Sequence, residues 1–174
     1  MIYISNLIKL FISLTILSII SGCYSAEITL LNEENSNIDM NILAFQLIAD
    51  ENNIILNDQP IIKVSKVGDS KFIRLEKTDA NNNSNANYVL IKQIKENNFI
   101  IQYYPDNLSS SELKKYNGNV LFGAFSVDGD LIKFYNFSKN ENFKFKNIDN
   151  LVLSISHAIL NSRPDLYYKI LKTK

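Results

Sequence analysis

Hydrophobic and polar positions alternate most clearly in the middle of the chain. "IIKVSKV" (61–67) and "KFIRLEK" (71–77) flank the turn-forming "GDS", which is the pattern of a hairpin. "YVLIKQI" (88–94) and "FIIQYY" (99–104) flank "KENN" in the same way and are rich in β-branched and aromatic residues. "NVLFGAFSV" (119–127) and "LIKFYNF" (131–137) are joined by Asp128-Gly129-Asp130, and Asp-Gly is a strong hairpin turn pair. Six strands in three hairpins therefore predict an antiparallel meander.

Around these strands the period changes. "DNLSSSELKKYNGN" (106–119) predicts a short helix, with Ser109 or Ser110 as cap and Gly118 at its end. A longer helix is expected from Asn147 or Asp149. Ile148, Leu151, Val152, Ile155 and Ile159 recur there at helical spacing, and Pro164 marks the end. "PDLYYKILK" (164–172) reads as a further turn or two of helix, with the proline at its start. "SNIDMNILAFQLIADENN" (36–53) is ambiguous. Ile38, Ile42 and Phe45 line a helical face, while Leu43, Phe45 and Leu47 alternate as in a strand. Helix is the preferred reading.

Strands first and helices last predict an α+β domain: an open antiparallel sheet of about six strands with a C-terminal helix packed on one face. A closed barrel around an apolar ligand would need about eight strands, more than the pattern supplies, and ranks last. The expected organisation is a leader over 1–22, an N-terminal tether over 23–37 and one globular domain over 38–174. Within it, the Asn-rich "DANNNSNAN" (79–87) is expected to be a mobile loop.

The leader is a distinct pattern. Leu10 to Ile20 is uncharged and largely apolar, Lys9 precedes it, and small Ser21 and Gly22 follow, as in a secretory signal. A membrane-spanning helix needs about 20 apolar residues, and Asn6 and Lys9 interrupt the count. Immediately after the run stands Cys23, the single cysteine of the 174 residues. Ile20-Ser21-Gly22-Cys23 resembles the lipobox of bacterial lipoproteins, in which an aliphatic and two small residues precede a cysteine. The resemblance implies cleavage before Cys23 and a thioether to diacylglycerol on its sulfur. Several acyl chains would then hold the protein durably in a membrane, where one chain binds only reversibly. It further implies a place in the bacterial cell envelope. Tyr24 is not the aspartate that retains such proteins at the inner membrane of Gram-negative cells, so the outer membrane is favoured there. The competing expectation is ordinary secretion, with a cut after Ser25 and Cys23 discarded.

Removing residues 1–22 from 174 leaves 152, enough for one domain with a single core. The only charge removed is Lys9, so the remainder carries 17 basic against 18 acidic residues. Such balance supplies no electrostatic case for nucleic acid, which calls for clustered Lys and Arg. The expected contacts are the membrane, through lipid on Cys23, and an envelope protein partner. With its one thiol acylated or lost, the domain has no disulfide and no cysteine-based metal site.

Chemistry is sparse. His157 is the only histidine, and no nucleophile motif accompanies it. It reads as a helix-surface residue. Asp128-Gly129-Asp130 is a hairpin turn rather than a calcium loop, which would need twelve residues of ligand pattern. No phosphate-binding glycine motif occurs, and no cofactor is expected. Tyr103, Tyr104, Phe122, Phe125, Phe134, Tyr135 and Phe137 would face both sides of a sheet, so each side must be covered or form a ligand surface. Coverage on both sides is preferred. The leading reading is a lipid-anchored, non-catalytic binding or structural domain. The rival is a small envelope hydrolase using paired carboxylates, which only tertiary folding could assemble.

Overall fold

The structure is a computed structural model and describes residues 24–26, 29–36, 42–52, 54–56, 59–78, 84–105, 107–135 and 145–173. Its strands are β1 (Tyr24–Ala26), β2 (Ile42–Asp50), β3 (Ile61–Lys66), β4 (Ile73–Thr78), β5 (Ser84–Lys95), β6 (Asn98–Tyr103), β7 (Val120–Asp128), β8 (Leu131–Tyr135) and β9 (Leu166–Thr173). Among the described residues two helices accompany them, α1 (Ser110–Leu113) and α2 (Ile148–Asn161).

Every pairing is antiparallel, and the order β7-β6-β5-β4-β3-β2-β9-β8 returns to β7. Eight strands thus close into a barrel. The open six-stranded α+β sheet expected from the sequence is not what the chain builds, because two further strands complete the ring. One is β2, where a helix was preferred. The other is β9, formed by the "LYYKILKT" that was expected to extend the C-terminal helix. Closure removes the exposed edges that an open sheet would have to protect.

The hairpins follow the sequence pattern. Asp128 pairs with Leu131 across a two-residue turn, and Gly129 supplies the left-handed conformation there (φ 62°). Asn97 plays the same part between β5 and β6 (φ 60°). These turns, together with the one between β3 and β4, lie at one end of the barrel. The long connections, including α1 and α2, lie at the other.

Cross-strand partners share a face, so the register separates inside from outside. All eight strands contribute to one apolar cluster, through Phe45, Val64, Ile73, Val89, Ile101, Phe125, Ile132 and Tyr168. That cluster is the barrel interior. Gly123 belongs to the same face. A Cβ there would stand 2.6 Å from the Phe134 ring and 3.3 Å from Ile101, so the missing side chain is what admits the ring.

The second cluster lies outside, over β5 to β8. Leu90, Ile100, Phe122, Ala124 and Tyr135 meet Ala26, Leu31 and Leu113, together with Leu151 and Ile155 of α2. The helix is capped by Asn147, whose side chain accepts from the Asn150 amide at 2.9 Å, and it buries the stripe through Leu151 and Ile155. Burial of two such side chains is worth roughly 1.5–3 kcal/mol each.

The segment expected to be a loose tether is docked over its described residues. β1 pairs with the first residues of β7, in line with β8 where β8 ends. Residues 29–36 then run across the outside of β5 and β6. Within the expected mobile loop, Ser84 to Asn87 are part of β5, and 79–83 lie outside the described residues.

Candidate functional site

Three places on this barrel could carry a function: its interior, the polar groups under the N-terminal strap, and its outer surface.

The interior is lined by apolar side chains. Ile73, Val89, Ile91, Ile101, Phe125 and Ile132 are buried. Phe99 stacks on Phe125 with ring centroids 4.8 Å apart, and Phe45 meets Tyr168 edge-on at 5.4 Å. Burial pushes the Tyr168 hydroxyl up to about 12, keeping it neutral in an apolar setting. An eight-stranded barrel is just wide enough for side chains to fill or for one small ligand. Here every strand contributes a bulky residue to the lining, and several of them, Phe45, Phe99, Tyr103 and Tyr168 among them, are only partly buried.

The strap is held by one buried amide. Gln102, fully buried on the outer face of β6, accepts from the Leu30 and Leu31 amides (3.1 and 2.8 Å). Its Nε2 donates to the Leu31 carbonyl (2.9 Å) and to the Tyr104 hydroxyl (2.6 Å). The Tyr104 hydroxyl donates to the same carbonyl at 3.1 Å, and burial raises its pKa. At the far end, Ser36 donates to the Ile91 carbonyl (2.8 Å), while Lys92 and Lys71 donate to the Asn35 and Ser36 carbonyls (2.8 and 2.6 Å). Among the described residues no buried side-chain nitrogen or oxygen lacks a hydrogen-bond partner. The arrangement fastens the segment to the wall. It was not foreseen from the sequence, where Gln102 is simply one polar residue in "FIIQYY".

The residues singled out for chemistry are scattered. His157 is exposed on the outer face of α2, and its carbonyl accepts from Asn161 at 2.7 Å. Asp128, beside the β7–β8 turn, is ion-paired with Lys133 at 2.7 Å. The Lys133 ammonium holds the Asp128 carboxyl below its ordinary range. The Ser84 hydroxyl, with Arg74 assisting, does so for Glu76. Ser109 does so for Glu112 through its hydroxyl and amide in the cap of α1. A proton-donating carboxyl needs its pKa raised, and these three move the other way. Among the described residues no group of three or more His, Cys, Asp or Glu is placed to hold a metal. Cys23 lies outside the described residues.

The aromatics divide as the closed wall requires. Tyr103, Phe125 and Phe134 belong to the interior cluster, and Tyr104, Phe122 and Tyr135 to the outer one beneath the strap and α2. Phe137 lies outside the described residues.

What remains is the surface. Leu153 and Leu160 are 69% and 77% exposed on the outward side of α2. Ile54, Ile55 and Ile61 form a second exposed apolar group beside the end of β2, where Ile55 bridges to Ala49. The wall around β3 and β4 carries charge instead, with Arg74 paired to Glu76 at 2.7 Å and Lys63 opposite Glu76. No helix among the described residues is long and apolar enough to cross a membrane. No protein-family model, curated protein or solved structure matches this chain.

Proposed function

We propose that the protein is a lipid-anchored barrel of the bacterial cell envelope, attached through Cys23, whose outer surface binds or supports another envelope component without catalysis. The observation that carries this reading is that Tyr24 and Ser25 belong to the barrel wall, where they pair with Phe122 and Leu121 of β7. A cut before Cys23 keeps both residues. A cut after Ser25, as ordinary secretion would require, removes two of the three residues of β1. It would also leave Ala26, buried under the strap and helix, as a charged chain terminus in an apolar cluster. The chain's architecture therefore favours the lipobox cut over the competing one.

The absence of catalysis in this reading rests on two supports. The barrel interior is lined by apolar side chains, and the shifted carboxylates are held ionised rather than poised as acids. The outer surface carries the exposed apolar groups that would meet a partner.

Attachment is tested by expressing the full chain in a bacterium supplied with labelled palmitate. The protein should take up label, and Cys23→Ser should abolish it. Equal labelling of the two would sink the reading.

A further inference from the structure

We propose that the outward face of α2, centred on Leu153 and Leu160, rests in the surface of the bilayer that holds the anchor. The inference rests on lipid attachment at Cys23 and adds to it an orientation for the barrel.

The anchor has no slack. Cys23 is bonded directly to Tyr24, and Tyr24 pairs with Phe122 in the barrel wall. A residue spans at most about 3.6 Å, so lipid on Cys23 brings this part of the wall down to the membrane surface. α2 occupies the same part of the wall. Ala26 of β1 and Phe122 of β7 share one packed cluster with Leu151 and Ile155 of the helix. The helix lies outside that wall with Leu151 and Ile155 turned inward, so its opposite side faces away from the barrel. That side carries two large apolar side chains in the open, seven residues apart and on one helical face. Leucines exposed to water cost free energy that burial among lipid acyl chains recovers.

The other surfaces fit less well. β3 stands four strands from β7 around an eight-stranded ring, on the opposite side, and its outer neighbourhood is charged. The exposed Ile54 and Ile55 sit against β2, three strands from β7 through β8 and β9, beyond the reach of an anchor without a linker. They are left free for a protein partner.

Lipidation consumes the only natural thiol, so an introduced cysteine becomes the single free one. Full-length Leu153→Cys, Ser65→Cys and Ile55→Cys proteins would be extracted from membranes and labelled with bimane. They would then be reconstituted in phosphatidylethanolamine–phosphatidylglycerol vesicles, with lipid attachment confirmed by mass. All three positions are exposed, so the substitutions should not disturb folding. Doxyl-labelled lipid should quench the probe at 153 and leave those at 65 and 55 bright, while aqueous iodide should do the reverse. Iodide quenching at 153 equal to that at 65, in protein that carries the lipid, overturns the docked helix and leaves the anchor standing. So does lipid quenching at 55 in place of 153. Protein without lipid on Cys23 overturns both.

Discussion

Gln102 shows how one side chain decides where a segment goes. Its side-chain oxygen satisfies the Leu30 and Leu31 amides, which would otherwise be covered without that partner, and its nitrogen shares the Leu31 carbonyl with the Tyr104 hydroxyl. Replacing it with methionine keeps the volume and removes the partners. Two orphaned donors at about 1–3 kcal/mol each put the expected loss at roughly 2–6 kcal/mol in urea unfolding. Tyr104→Phe should cost less, about 1 kcal/mol, because Gln102 still donates to the Leu31 carbonyl. If Gln102→Met were the milder of the two, the amide would not be what fastens the strap. Neither role could be read from the sequence. A polar residue amid apolar ones in a strand ordinarily marks the solvent side. Gln102 does alternate with its apolar neighbours, yet the side it faces is covered by a distant segment that local pattern does not reveal.

Among elements, α2 and β2 contrast in legibility. The stripe Ile148, Leu151, Val152, Ile155 and Ile159 forecast a helix and its buried face, because an uninterrupted helix keeps its period. Ile155→Ala should therefore cost about 2–5 kcal/mol through lost burial and a residual cavity. Asn150→Ala, on the exposed side, should change stability by no more than about 0.5 kcal/mol. Comparable losses at both positions in urea unfolding would mean that the helix does not pack through this stripe. β2 misled for an equally physical reason. Its pairing with β9 shifts register between Ile42 and Ala44, between Ala44 and Phe45, and again between Leu47 and Ala49. The first two irregularities bring Ile42 and Phe45 into one interior cluster although they are three residues apart. Three is a helical spacing, so the bulges disguised a strand as a helix. In β9, the alternation of Leu166, Tyr168 and Ile170 was present but was outweighed by Pro164, read as a helix start when it ends a connection.

At the scale of the molecule, those two strands turn an open sheet into a closed ring, and closure changes what the protein can offer. An open sheet would present a face to a helix or a ligand. A closed wall instead has an inside, here lined by apolar side chains, and an outside whose cover differs from one side to the other. Strap, α1 and α2 cover β5 to β8, and β1 begins there beside the predicted lipid attachment. The expectation of a leader and of lipid on Cys23 rests on a local segment alone. The barrel was not legible, because ring closure depends on pairing β9 with β2 across more than a hundred residues and with β8 across the connection that holds α2. The account joins these scales at one bond, between Cys23 and Tyr24. Mass spectrometry of the N-terminal peptide, taken from protein extracted from bacterial membranes, tests it most directly. The account predicts a chain that starts at Cys23 and carries diacylglycerol on its sulfur. A chain that starts at Ala26, or one that retains residues 1–22, would contradict it.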